Sequence, residues 1–201
     1  IQAFVTNPKK VAMHAFFPLL SYKIKARRFQ KKRDPSSNKV KRVVSTKIRP
    51  IKVASHRDTY IYTHYNSLLS DAYEKKISDT EIDECVVAYR KGKGSNIDIA
   101  LEAFERIGKM GECVVIAADL KSFFETIDHN HLKSCWSNLL GKDCLPDDHF
   151  KVFKSLTSYS EIKVEALKKK LKIRAKDNLP KPIFNELSEY RKVIKERDLN
   201  G

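Results

Sequence analysis

An apolar strand that ends in an acid is a compact way to hold a carboxylate against a cation, and Val114-Val115-Ile116-Ala117-Ala118-Asp119 has that form. The run reads as a buried strand whose last side chain emerges at a sheet edge, where a divalent ion and a triphosphate could reach it. Leu120-Lys121-Ser122-Phe123-Phe124 follows at once, putting two aromatics beside the acid. A solvated strand cap is the alternative role for Asp119. Nearby, His129, His131 and Cys135 bunch together, but they lack a fourth ligand at a recognisable spacing.

The elements that must position these residues can be read from periodicity. Lys23 to Phe29 partly alternates basic and apolar residues, and Val40 to Val53 is rich in β-branched residues and bases. With the turn signal Asp34-Pro35-Ser36-Ser37-Asn38 between them, they predict an antiparallel hairpin with a positive surface. Tyr60, Ile61, Tyr65, Leu68 and Leu69 have helical spacing within His56 to Glu74. Val86 to Arg90 predicts a short strand. Ser95 or Asn96 can cap a helix running to about Ile107, Asp128 a helix to Leu139, and Pro146-Asp147-Asp148 opens another. Leu156 to Val164 adds a strand or a turn, Lys168-Lys169-Lys170 is a basic patch, and Ile183 to Glu196 predicts a polar helix. Gly92 and Gly94 miss the phosphate-loop spacing and read as a flexible turn.

The net charge of +15 is unevenly placed: residues 1 to 57 hold 16 Lys or Arg against the single acid Asp34, leaving 24 bases and 24 acids afterwards. A basic field confined to one stretch fits a polyanion held on one side. No apolar run approaches the roughly 20 residues that cross a bilayer, and no signal sequence opens the chain at Ile1. The four cysteines form no Cys-x-x-Cys pair. These features predict a soluble, cytoplasmic protein without a disulfide framework or a membrane partner.

Three segments in order resemble bacterial reverse transcriptases of the retron, group II intron and phage-defence kind. They are Thr46-Lys47-Ile48-Arg49-Pro50-Ile51 with Ala54-Ser55-His56-Arg57-Asp58, then Ala88-Tyr89-Arg90 with Ser95-Asn96, then Ala118-Asp119-Leu120-Lys121-Ser122-Phe123-Phe124 with Ile127-Asp128-His129. Ala88-Tyr89-Arg90-Lys91 stands where intron enzymes show Gly-Phe-Arg-Pro, which disfavours an intron maturase, whereas Phe16-Phe17-Pro18-Leu19, Ala54-Ser55-His56 and Leu145-Pro146-Asp147-Asp148-His149 look more like the defence-associated polymerases, which implies an antiviral role. The resemblance implies an α+β fold: right-hand polymerase fingers, made of the basic hairpin and helices, plus the start of a palm sheet. Residues 1–112 would be the N-terminal segment and fingers, and 113–201 a partial palm with a helical insertion.

It also implies two Mg²⁺ ions, with Asp119 as the catalytic carboxylate and the Leu120 backbone carbonyl as a metal contact. Arg49 and Arg42 would clamp the incoming triphosphate together with Ser122, Phe123 and Phe124, the last as a sugar gate. One of the two phenylalanines is expected in the core. Lys47 and Arg90 would meet the template, with a salt bridge as the equal alternative for Arg90. The implied partners are an RNA template, which a dedicated noncoding RNA could supply, the DNA product and deoxynucleotides; homo-oligomerisation stays open. The aromatic-x-Asp-Asp turn that completes the family's metal site has no match, since Asp147-Asp148 follows Leu145-Pro146. The chain is therefore expected to be part of a longer polymerase and inactive alone. A noncatalytic nucleic-acid-binding module is the alternative.

Overall fold

Two long segments without a single Asp or Glu, 19–33 and 40–53, form the most extended feature of the chain. In the computed structural model, which describes residues 2–33 and 40–174, they are strands β1 (Leu19–Arg33) and β2 (Val40–Val53). The expected turn at 34–38 and the expected helix at 183–196 lie outside the described residues. The strands pair antiparallel in unbroken register from Leu20↔Val53 to Arg33↔Val40. β-Branched residues favour the pleat, and Pro50 is accommodated because β2 is an edge strand. The third strand, β3 (Glu161–Lys163), pairs parallel with the start of β1, giving the order β2-β1-β3.

The remaining elements are helical: α1 (Gln2–Val5), α2 (Pro8–Ala12), α3 (His56–Ile77), α4 (Asn96–Lys109), α5 (His129–Leu139), α6 (Asp147–Thr157) and α7 (Val164–Lys170). The α+β class expected from the sequence is thus present. The caps follow local chemistry. Asn7 accepts from the Lys10 N–H with Pro8 in the first turn, Ser95 and Asp98 form a reciprocal capping box, and Asp128 accepts from the His131 N–H at 2.8 Å.

The chain divides into two compact units. Residues on both sides of the expected boundary at 112/113 fall in the first, which comprises 1–14 and 60–157; the second comprises 15–59 and 158 onward. In the first unit, Ile61 and Tyr65 are buried one helical turn apart on α3, together with Val5, Val11, Val152 and Phe153, and α2 packs on α6. A polar network is built into this core. Tyr65 Oη donates to Asp148 at 2.6 Å, and the Trp136 indole N–H donates to His149 Nδ1 at 3.2 Å. Tyr65 meets the His149 ring edge-on at 4.8 Å. In the second unit, fully buried Asp58 accepts from the Phe17 backbone N–H at 3.0 Å, and the Asp58 N–H donates to Ser55 at the start of α3. Ile162 of β3 and Leu167 of α7 are buried there too.

Two expected strands are absent. Residues 114–119 are irregular and exposed, with Val114 at 90% and Ile116 at 87% of their full exposure. Residues 86–90 are loop and turn, with Tyr89 in the left-handed region at φ 59°. Strand propensity needs a partner to become a strand, and no described segment pairs with either run. The palm sheet expected to begin at residue 113 is therefore not formed among the described residues.

The Trp136 to His149 bond requires an unprotonated Nδ1, and burial holds the His149 imidazole below its ordinary value, opposed by the neighbouring Asp148 and aided by His64. A group with a depressed folded-state pKa contributes stability that is complete above the unfolded value, about 6.5 for histidine, and is lost as pH falls below it. Denaturation followed by the fluorescence of the single tryptophan should weaken by about 1–3 kcal/mol on acidification through that range, the cost of stranding the indole donor. His149→Asn, which keeps an acceptor near Nδ1, should be less stable at neutral pH but flat across the same window. A parallel decline in both proteins would assign the effect elsewhere.

Candidate nucleic-acid interface

A strand sends successive side chains to opposite faces, so the β1–β2 register assigns every hairpin cation to a face. Arg49 lies opposite Ile24, and Lys47 opposite Ala26, on one face. Arg42 lies opposite Lys31 on the other. The odd separation of Arg42 and Arg49 puts them on opposite sides of an unbroken ribbon, about 23 Å apart along the strand. The expectation that both clamp one triphosphate is corrected accordingly: Arg49 and Lys47 form a pair and Arg42 does not join them. All three are exposed. The guanidinium of Arg49 is thus open to a phosphate in a fork geometry that suits it.

Asp119 to Phe124 belong to the first unit. Asp119 and Leu120 lie in the irregular exposed segment rather than at a strand end. Ser122 sits in the left-handed region at φ 56°, and the chain then makes a short 3₁₀ turn over Phe123–Glu125. The Ser122 carbonyl accepts from the Glu125 and Thr126 N–H groups and from the Thr126 hydroxyl. This turn sets Phe123 and Phe124 edge to face with ring centres 5.4 Å apart. Neither ring is in the core: both are exposed, Phe124 at 73%. Core packing of one of them, expected from the sequence, is replaced by a protruding aromatic pair.

Metal chemistry needs several hard oxygen ligands at one point. Among the described residues, no three His, Cys, Asp or Glu side chains form a group able to hold an ion. The other acids of interest have different work. Asp128 caps α5, its carboxyl held below the usual range first by the His131 N–H, and Asp148 accepts from Tyr65. The two Mg²⁺ ions implied by the resemblance therefore lack a fitting donor set here, and Asp119 is a single exposed carboxylate. Cys135 Sγ does lie 3.5 Å from His131 Nε2 on α5, as their spacing indicates, again without further ligands.

Arg90 takes the salt-bridge role. Its side chain is only 3% exposed, and all the N–H-bearing nitrogens of its guanidinium are engaged. Nε and Nη2 grip Glu74 on α3, Nη2 also reaches Asp83 at 2.7 Å, and Nη1 donates to the Asp83 and Val86 carbonyls. Lys93 adds a 3.0 Å pair to Asp83. Arg90 is the clasp of the 78–94 loop rather than a template contact. The sequence held the clue that five acids, Glu74, Asp79, Glu81, Asp83 and Glu84, lie within one short stretch on its N-terminal side, but which of them would meet it depends on the loop closing.

No protein-family model matches the chain, and no curated protein matches its sequence. The family resemblance rests on the motifs themselves.

Arg90 holds Glu74 below the usual carboxylate range; at Asp83 the Lys93 ammonium contributes most, followed by Arg90. Clasp stability is therefore complete above the unfolded values near pH 4 and is lost as pH falls below them. Arg90→Gln should accelerate amide exchange across 78–94 at neutral pH while leaving the salt dependence of oligonucleotide binding unchanged. A reduced salt slope in that variant would restore a template contact.

Proposed function

We propose that the chain handles nucleic acid as the fingers and first palm segment of an RNA-directed DNA polymerase. One observation carries the reading: an acid-free, solvent-exposed antiparallel ribbon presents Arg49 and Lys47 side by side on one face. That is what phosphate binding asks of a protein, since cations without internal acidic partners are free to neutralise a polyanion. The motif order in the sequence adds the polymerase identity. Arg49 is suited to the triphosphate and Lys47, two residues away, to an adjoining template phosphate. The exposed ring of Phe124 can pack against a nucleotide sugar, where a 2′-hydroxyl would meet it.

Asp119 enters as one carboxylate of a site whose other ligands are not gathered among the described residues, so no chemical step is assigned to it. This same isolation favours the second reading, a noncatalytic nucleic-acid-binding module. Under both readings the ribbon is the working surface.

Primer extension on an RNA template by the protein encoded by the complete reading frame separates them. The polymerase reading expects incorporation that Asp119→Asn abolishes, a raised deoxynucleotide KM for Arg49→Gln, and increased ribonucleotide use for Phe124→Ala. Incorporation undiminished in Asp119→Asn removes Asp119 from the site. RNA binding without any incorporation by the wild type leaves the binding module.

A further inference from the structure

We propose that the ribbon face opposite Arg49 is a second track, one that holds single-stranded nucleic acid with its phosphates along β1 and its bases over β2. The proposal goes beyond the polymerase reading, because it stands on the register, exposure and charge of the ribbon alone.

On this face β1 displays Lys23, Lys25, Arg27, Lys31 and Arg33, all exposed. Alternate residues of a strand are about 6.6–6.8 Å apart, so these cations form a rail roughly 33 Å long. None of them takes part in an ion pair among the described residues. Lys52 shares the face but is already occupied, pairing with Glu161 at 3.0 Å and contacting the Tyr159 hydroxyl. Lys31 directly opposes Arg42 across the ladder. Like charges opposed in this way destabilise a strand pair, and no acid in either strand offsets them. A bound polyanion would remove that repulsion.

The same face of β2 is different in kind. Between Arg42 and Lys52 it carries Val44, Thr46, Ile48 and Pro50, with Val40 beyond Arg42 at the far end, and Phe29, opposite Val44, interrupts the cationic rail with a ring 70% exposed. Parallel rows of charge and of exposed apolar surface match the two sides of an unpaired strand, whose bases have open faces that stack on aromatics. A duplex matches less well, because its base faces are covered by stacking. An anionic membrane would satisfy the cations but asks for a broad apolar patch, whereas this row is one side chain wide.

The test measures binding of the whole chain to labelled RNA and DNA strands of about 12 nucleotides, within the site sizes of single-strand binders, against the matching duplex and phosphatidylserine vesicles. No nucleotide is added, so the result is independent of whether the protein polymerises. Removing Lys25, Arg27 and Lys31 together as glutamines should weaken strand binding at least about tenfold and lower the salt slope by about two, the expectation for three lost contacts to a single strand. Phe29→Ala should weaken it about five- to hundredfold and Phe29→Trp should restore it. Circular dichroism checks that the variants keep their strands. An equal loss on removing Lys75, Lys109 and Lys142, exposed cations elsewhere, would reduce the effect to net charge and overturn the track. So would undiminished binding by Phe29→Ala, duplex binding as tight as that of the single strand, or capture of vesicles without oligonucleotides.

Discussion

The uninterrupted β1–β2 ladder is the constraint on which the reading of this protein depends. Its pairs run from Leu20↔Val53 to Arg33↔Val40 without a bulge, and a slip of one residue would exchange the two faces entirely. With register set, the twelve early bases that lie in β1 and β2 stop being a diffuse positive field. They become two surfaces, one with Arg49 and Lys47, the other with the Lys23-to-Arg33 rail. The cost is a ribbon that carries many cations and no acid of its own. Among the described residues, the ribbon cation neutralised within the fold is Lys52 at the root, which reaches Glu161 and Tyr159 beside the β3 pairing.

The first unit is held differently. Its core combines aliphatic packing with a polar set, Tyr65 to Asp148 and Trp136 to His149, in which each buried donor has an acceptor. Burial alone would make such groups costly, and their mutual hydrogen bonds offset that cost. The Arg90 clasp follows the same logic at a loop: a planar cation is nearly enclosed by two carboxylates and two carbonyls, which closes a segment that has no regular secondary structure. By contrast α4 buries nothing, and its apolar residues Ile97, Leu101 and Phe104 face solvent with the 114–124 segment beyond it.

The elements legible in the sequence are those whose signals are local. The hairpin, the caps at Ser95 and Asp128, and the helix opened by Pro146-Asp147-Asp148 rest on alternation, side-chain acceptors and proline within a few residues of where they act. The readings that changed are the non-local ones. Val114–Asp119 has strand composition but no described partner, and Phe123 and Phe124 have core chemistry but no core around them; at Arg90, where template and salt bridge stood as alternatives, the deciding acids lie up to sixteen residues back. Arg42 is an intermediate case: its odd distance from Arg49 already implies opposite faces, once the strand is known to be unbroken.

By itself the sequence determined an α+β chain with its basic excess at the N-terminal end, a positive hairpin, and one choice left open at Asp119, between a solvated strand cap and a metal-binding carboxylate. Only the tertiary structure decided which cations share a face, which are consumed by internal acids, and whether the apolar runs find partners. The physical reason is that propensity and charge belong to residues, whereas pairing and burial belong to the space between segments, and no local pattern specifies the segment that arrives there.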